Sequence, residues 1–475
     1  MTSLLSDDLL DQSPKFSLTD AEQLARDHFG VAGRASPLTS ERDQNFLIHG
    51  ADGTKMVLKI VNAAEQKIMI EAQQRAITLL AQRLDITPRV LSTVNGRALV
   101  ETGGPDGKRH LVWAISWLPG VPLATVPHRS LALYRDVGRQ VGALQRELVD
   151  FDHAGLHRDF YWDLAKARGL IEEKRSLVDD QRLLNVIDRL LGEIDQRTIP
   201  RLATVRRAMV HNDLNDYNIL VGEGDDLETK TQVVTGIVDF GDMVYSYRVG
   251  ELAIAIAYAI LDHDDPLGIA AELVRGYCER SALDDNELAA LFGLVLLRLC
   301  ASVCIAAEQQ RQRPDNAYLG VSQQAIRRAL PRLAAIPFGL AETTLRAAAG
   351  LPASPKAQRV RDFLTRVPRF APVLGVDLER EACIVLDLSV SSPLVSGDAA
   401  ENAEPKLTER VFAEMSRAVV SVSVGRYDEP RLLYVAPAFA TGTRPTDEHR
   451  TIHIGLDLFA PAGTPVFAPL AGTVH

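Results

Sequence analysis

In HNDLNDYNIL, His211 to Leu220, an aspartate follows a histidine by two residues and an asparagine follows that aspartate by five. IVDFGD, Ile237 to Asp242, then places a second aspartate at the end of an apolar run. These residue types suit phosphoryl transfer. Asp213 would accept or orient the proton of an attacking hydroxyl, while Asn218 and Asp239 are hard oxygen ligands for Mg2+ ions that bridge nucleotide phosphates. His211 is expected to brace the loop by hydrogen bonding, because Asp213 already serves as the base. The phosphates also need a cation, and MVLKI, Met56 to Ile60, puts Lys59 on an apolar strand. Glu71, twelve residues later on the following helix, is its expected ion-pair partner. Alone, Lys59 and Glu71 would read as a surface pair; in order with Asp213, Asn218 and Asp239 they read as part of one site.

This order matches the protein-kinase signature, with one departure. LTSERDQNFLI lacks a glycine-rich loop, so phosphate contacts are expected from backbone amides and short polar side chains such as Ser40 and Asn45. With ERDQNFLI, Lys59, the hinge-like AISWLPGVPL (Ala114 to Leu123), HNDLNDYNIL and VDFGDMVYSYRVGELAIAIAYA (Val238 to Ala259) in sequence, the chain resembles the aminoglycoside phosphotransferase family over residues 15–345, and within it the hydroxylysine and homoserine kinase type. The resemblance implies an α+β, bilobal, protein-kinase-like fold. It also implies ATP or GTP as co-substrate, seated at the hinge near Ser116, Trp117 and Leu118, with Mg2+, and a small amino alcohol or amino acid as acceptor: hydroxylysine, homoserine, ethanolamine or an aminoglycoside. Asp242 would face the metal or a substrate amine. Tyr245, Tyr247 and Arg248 would line the pocket, Arg248 gripping a carboxylate in bidentate fashion.

The elements that must position these groups follow from apolar spacing. Asn45 to Ile48, Met56 to Val61 and Ala98 to Glu101 have the composition of strands, and Ala64 to Ala81 has helical spacing. Residues 15–115 therefore form a small sheet-rich lobe. From 116 to 349 helical patterns dominate, broken by β-like runs at Met209 to Leu220 and Val233 to Phe240. Ala289 to Ala307 is apolar enough to suggest a membrane span, but Arg298 at its centre would cost about 2.5 to 3.5 kcal/mol on insertion, so a buried helix is expected. Four prolines between Gly350 and Pro372 mark a linker.

Beyond it, residues 373–430 are expected to form a small α/β segment, with a strand at Cys383 to Val390, a helix near Lys406 to Ala418 and strands at Val419 to Val424 and Leu432 to Ala436. The end, HIGLDLFAPAGTPVFAPLAGTVH, resembles the opening of the lysostaphin-type zinc metallopeptidase domain. His453 and Asp457 match its first two ligands. A catalytic zinc needs three protein ligands, and none of the eleven histidines forms the later His-x-His pair. Residues 431–475 are therefore expected to be an incomplete all-β, peptidase-like barrel that binds Zn2+ only if completed, at the front of a longer polypeptide. The combination resembles a bacterial fusion whose downstream part is a class III, pyridoxal-phosphate-dependent aminotransferase-like enzyme.

Composition narrows the alternatives. Sixty-two acidic against 52 basic residues give a formal charge of −10, which argues against nucleic acid or an anionic membrane as partner. Four cysteines without a CxxC pair suggest reduced thiols in a cytoplasm, and the N-terminus has acidic residues where a signal peptide needs basic ones. Two rivals are a zinc peptidase with an accessory kinase-like domain and a pseudokinase that binds without turnover. The missing zinc ligand weighs against the first and the complete kinase set against the second.

Overall fold

A computed structural model describes residues 13–40, 42–222, 232–312, 322–353, 357–367, 369–431, 433, 439 and 452–471. The chain divides into two compact units, Met1–Arg359 and Val360–His475.

The first unit opens on helix α1 (Leu18–Phe29), whose start is a reciprocal cap: the Ser17 hydroxyl accepts from the Asp20 amide while the Asp20 carboxylate accepts from the Ser17 amide. A six-stranded sheet follows, built from β1 (Gly33–Leu38), β2 (Gln44–Gly50), β3 (Lys55–Ile60), β4 (Val90–Leu91), β5 (Val100–Gly103) and β6 (Arg109–Ser116). Its order is β1-β2-β3-β6-β4, with β5 also on β6. Helix α2 (Lys67–Ala81) lies between β3 and β4. Alternation along β3 sets the two faces of this sheet. Met56, Leu58 and Ile60 are fully buried against Phe46, Ile48, Val112, Ala114 and the α1 residues Ala21 and Ala25. Lys59 therefore points the other way, in register with Asn45 on β2 and Trp113 on β6.

The larger lobe holds β7 (Val121–Pro122), α3 (Leu131–Glu147), α4 (Leu164–Lys174), α5 (Gln181–Arg197), α6 (Ile199–Leu202), β8 (Arg207–Val210), β9 (Ile219–Gly222), β10 (Val233–Ile237), β11 (Val244–Tyr247), α7 (Gly250–Ala259), α8 (Pro266–Cys278), α9 (Asp285–Gln312), α10 (Gln323–Leu333) and α11 (Phe338–Ala348). Two glycines let α3 and α8 pack backbone to backbone. A Cβ at Gly138 would sit 2.0 Å from the Leu273 carbonyl oxygen, and one at Gly276 would sit 1.8 Å from that of Arg135. Helix α9 contains the apolar stretch in question: 94% of its most apolar window is buried within the protein, so it is the core helix of this lobe.

The β-like run expected at Met209 to Leu220 is two strands that do not pair with each other. β8 pairs with β11 and β9 with β10, all antiparallel. The intervening polar residues satisfy one another instead of a ladder: the Asn215 side chain accepts from the Tyr217 amide at 2.8 Å, and its carbonyl accepts from the Asn218 amide at 3.1 Å.

Helix α12 (Ala357–Arg366) occupies part of the proline-marked stretch and runs across the division between the units. In the second unit, β12 (Cys383–Leu386) runs parallel to β13 (Val422–Gly425), which pairs antiparallel with β16 (Asp457–Phe459); β14 (Glu429–Pro430) pairs with β15 (Ile452–His453). Helix α13 (Lys406–Arg417) packs Val411 and Met415 on Leu386 and Leu388. The strand expected at Leu432 to Ala436 falls almost wholly outside the described residues. Among those described, the strands form an open mixed sheet and a short ladder, with no closed barrel.

The expected zinc ligands are engaged elsewhere. Asp457 Oδ2 accepts from Arg431 Nη1 at 2.6 Å, and its Oδ1 lies 3.4 Å from His453 Nε2. The buried Arg431 also binds Glu429 at 2.7 Å. His453 and Asp457 thus face each other, and the second oxygen of Asp457 is committed to a guanidinium. Among the described residues no cluster of three or more His, Cys, Asp or Glu side chains is placed to hold a metal ion.

Candidate active site

The loop from β8 to β9 is held from beneath by Glu251 in the first turn of α7. This fully buried carboxylate accepts the His211 amide on Oε2 and the Asn212 amide on Oε1, the latter at 3.1 Å. Between those anchors Asn212 takes a left-handed conformation, φ 68°, a strained state of the kind found at functional sites. Burial pushes the Glu251 carboxyl up to about 7, against the two amides and Arg298, which favour its charge. His211 braces the same loop, as its type and position suggest. Its Nε2 donates to the Val238 carbonyl at 3.0 Å, its Nδ1 accepts from the Asp213 amide at 3.3 Å, and its ring meets Phe240 edge-on. Burial lowers its pKa to about 4 despite the nearby Asp239, so the imidazole is neutral at physiological pH.

Asp213 is held from three sides. Asn218 spends both amide hydrogens on it, one to its carbonyl at 2.9 Å and one to Oδ2 at 2.8 Å. Asn215 donates to Oδ1 at 3.1 Å, and Arg298 of α9 donates to the same oxygen at 2.9 Å. Arg298 is itself buried, lies over the Trp162 ring at 4.4 Å and donates to the Tyr258 hydroxyl at 3.3 Å. Burial raises the Asp213 carboxyl to about 8; Asp242 and Asp239 add to the rise and Arg298 opposes it.

On the same lobe, Asp239 follows β10 by two residues with φ 64°, where the chain leaves the strand. The side chain lies between the lobes yet is 58% accessible, and Lys59 Nζ stands 4.0 Å from it. The surrounding protein disfavours its charge, but Lys59, Arg42 and His211 outweigh that and hold the carboxyl below its usual range. Lys59 also lies over Trp113, 5.6 Å from the ring centroid. Glu71 is not its partner. It sits on the outer face of α2 and pairs with Lys67, 3.5 Å away and one turn earlier, while Ile70, Gln73 and Gln74 take the buried face.

The other expected residues divide. The Asn45 side-chain oxygen is buried without a hydrogen bond on the face that carries Lys59, whereas Ser40 is exposed in the β1–β2 turn. At the hinge, the Ser116 amide donates to the Arg89 carbonyl at 2.8 Å and the Trp117 amide to that of Lys55 at 3.4 Å. Leu118 packs beside Gly236. Asp242 does lie in the cleft, ion-paired with Arg42. Arg248 does not: its guanidinium binds the Ser281 hydroxyl and the Ala282 carbonyl, tying β11 to the α8–α9 connection. Tyr245 stacks on His157 at 4.7 Å, and Tyr247 is buried under Arg207; among the described residues neither contacts Asp213 or Asp239. A cavity of about 490 Å3 lined by Leu164, Arg168, Ile199, Arg207, Tyr247 and Leu297 contains none of the other expected groups.

Four residues of this constellation escape motif reading: Arg42, Arg158, Glu251 and Arg298. Arg158 donates to the carbonyls of Gly241 (2.9 Å) and Met243 (3.2 Å) and lies over Phe160 at 4.2 Å, so it clamps the segment after Asp239. Arg42 lies within ERDQNFLI and Glu251 within VDFGDMVYSYRVGELAIAIAYA, whose spacing does not reveal their partners, and Arg298 stands out as a charge inside an apolar run. The donor set fits a divalent ion. With both Asn218 hydrogens committed, its Oδ1 is left as the acceptor, and Asp239 adds an ionised oxygen. Two such ligands suit Mg2+, which keeps waters and takes phosphate oxygens for the remaining positions.

An aspartate caged by asparagines, near a lysine–aspartate pair at a lobe boundary, is the arrangement of a kinase-type phosphotransferase site. The chain belongs to the phosphotransferase enzyme family, whose model matches residues 34–291, and it is a small-molecule kinase with an alcohol group as acceptor. Among its relatives are hydroxylysine kinase of Danio rerio, 29% identical over 334 residues and covering 68% of this chain and 93% of that one, and hydroxylysine kinase of Mus musculus, 32% identical over 327 residues, 64% and 85%. An amicoumacin kinase solved with AMP-PNP, Ca2+ and Ami shares the fold at a TM-score of 0.52 and 15% identity, covering 68% of this chain and 96% of its own.

Proposed function

We propose that this protein transfers the γ-phosphate of ATP or GTP to the hydroxyl of a small amino alcohol or hydroxy amino acid, with hydroxylysine the first acceptor to test. The observation that carries this reading is the caged Asp213 facing the Asp239–Lys59 pair. Asp213 orients the acceptor hydroxyl and takes its proton; a carboxyl whose pKa lies near neutrality suits that exchange. Lys59 stabilises the nucleotide phosphates. Asn218 and Asp239 would hold Mg2+, which when bound neutralises charge on the phosphate oxygens. The backbone of Leu118, in the hinge, would meet the base of the nucleotide, since the amides of Ser116 and Trp117 are already committed. Asp242 is retained as a substrate-side group.

The hydroxylysine kinases support the acceptor class. A coupled nucleotide-consumption screen over hydroxylysine, homoserine, ethanolamine, choline and aminoglycosides tests it: turnover with one of them is expected, and failure with all of them at millimolar concentration removes the class. A cytoplasmic site of action is favoured by the four free thiols. The lysostaphin-like reading of the last residues, and the fusion to a pyridoxal-phosphate enzyme that goes with it, rest on the sequence motif alone, and the Arg431–Asp457 pair weighs against zinc.

A further inference from the structure

Arg42 stands where this fold has no glycine-rich loop. Its backbone is anchored: the Arg42 carbonyl accepts from the Asn62 side chain at 3.2 Å, and the neighbouring Asp43 carboxylate accepts from the Asn62 amide at 2.9 Å. From this fixed corner between β1 and β2 the side chain crosses to the other lobe and pairs with Asp242, 200 positions later in sequence. It passes over Phe160, 5.8 Å from the ring centroid, and one guanidinium nitrogen comes within 3.6 Å of where a Cβ on Gly241 would stand. Burial disfavours its charge, but Asp242, Asp43 and Asp239 hold its pKa above the ordinary value. A cation therefore lies over the Asp239-Phe240-Gly241-Asp242 turn, and among the described residues the partner of its guanidinium is the Asp242 carboxylate.

We propose that Arg42 is a terminal-phosphate ligand, parked on Asp242 in the nucleotide-free protein and transferred to the γ-phosphate when a nucleoside triphosphate binds. The exchange is between like interactions: a phosphate oxygen replaces a carboxylate oxygen on the same guanidinium, and the planar fork suits either. Nucleoside diphosphate, lacking that phosphoryl group, leaves the Arg42–Asp242 pair intact. Arg42 thereby discriminates triphosphate from diphosphate, a task the backbone amides of a glycine-rich loop perform elsewhere.

The inference rests on the kinase reading, and the experiment separates the two. Calorimetric titration of the full chain with the Mg2+ complexes of a non-hydrolysable ATP analogue and of ADP is run on wild type, Arg42→Met, Arg42→Lys and Asp242→Asn, with thermal melting to show that each is folded. Wild type is expected to bind both. Arg42→Met should lose about ten- to a hundredfold in affinity for the analogue, the scale of a lost hydrogen bond to a charged group, with ADP affinity within threefold of wild type, and Arg42→Lys should recover part of the loss. Asp242→Asn releases Arg42 without removing it and should keep the preference for the analogue over ADP. The assignment falls if Arg42→Met weakens both nucleotides equally or neither, if it raises only the acceptor KM, or if Asp242→Asn abolishes the preference as Arg42→Met does. Should wild type bind neither nucleotide, the kinase reading fails with it.

Discussion

Glu251 offers a test that does not depend on knowing the substrate. Its carboxyl is buried beneath the loop from β8 to β9, where the surrounding protein moves its pKa from 4.5 to about 7 while two main-chain amides donate to its oxygens. Because the folded carboxyl holds its proton more tightly than the unfolded one, the folded state carries more protons between those pH values. Stability therefore falls as pH rises through that window and is level above it. At 1.36 kcal/mol per pH unit the full loss is about 3 kcal/mol, of which about 2 fall between pH 5.5 and 8. Glu251→Gln cannot ionise. It turns an amide NH2 toward one of the two backbone donors, a cost of about 1 to 3 kcal/mol from one unsatisfied amide, and that cost is the same at every pH. The difference in unfolding free energy between variant and wild type should thus shift in the variant's favour by about 2 kcal/mol from pH 5.5 to pH 8, read from urea titrations at several pH values. Turnover should fall about ten- to a hundredfold at any pH, since the loop that carries Asp213 is no longer held at both amides. A stability difference that stays constant over this range would refute the argument, because the carboxylate would then not be ionising against its burial.

Three further outcomes follow from the same contacts. Asp213→Asn should abolish turnover while nucleotide affinity stays within about threefold, because the proton acceptor is lost and the phosphate and metal contacts remain; near-normal turnover would mean that another group is the base. Asp239→Ala should weaken Mg2+-nucleotide binding about tenfold or more by calorimetry as well as turnover, and unchanged affinity would take Asp239 out of the site. Glu71→Ala should leave turnover within about twofold and stability within about 0.5 kcal/mol, since among the described residues its ion pair is an exposed one with Lys67; a tenfold loss of turnover would restore Glu71 to Lys59.

What the sequence disclosed depended on how far apart the interacting groups lie. The apolar run around Met56, Leu58 and Ile60 is local, so the strand that carries Lys59 was legible, and the two motifs are compact enough that spacing alone singled out Asp213, Asn218 and Asp239 as candidates. Glu71 failed for a reason of helical phase. A count of twelve residues put it on the right helix, but at about 100° per residue it falls opposite the buried stripe of Ile70, Gln73 and Ile77. Arg248 failed because its neighbours in the motif do not reveal Ser281, which takes its guanidinium. Partners separated by 85 residues, as Arg298 and Asp213 are, or by 200, as Arg42 and Asp242 are, leave no local pattern that pairs them.

Arg298 shows where inference from a single sequence stops. An arginine inside an apolar helix must be paired when it is buried, because an isolated charge there costs several kcal/mol. That argument establishes that a partner exists and makes a membrane span unattractive, but it does not choose among the 62 acidic residues of the chain. The fold makes the choice by bringing Arg298 of α9 to the loop between β8 and β9, where its guanidinium meets the Asp213 carboxylate. Arg298 favours the charge of Asp213 against the burial that raises its pKa, and the residue that looks least at home in its own helix is one that holds the proposed base.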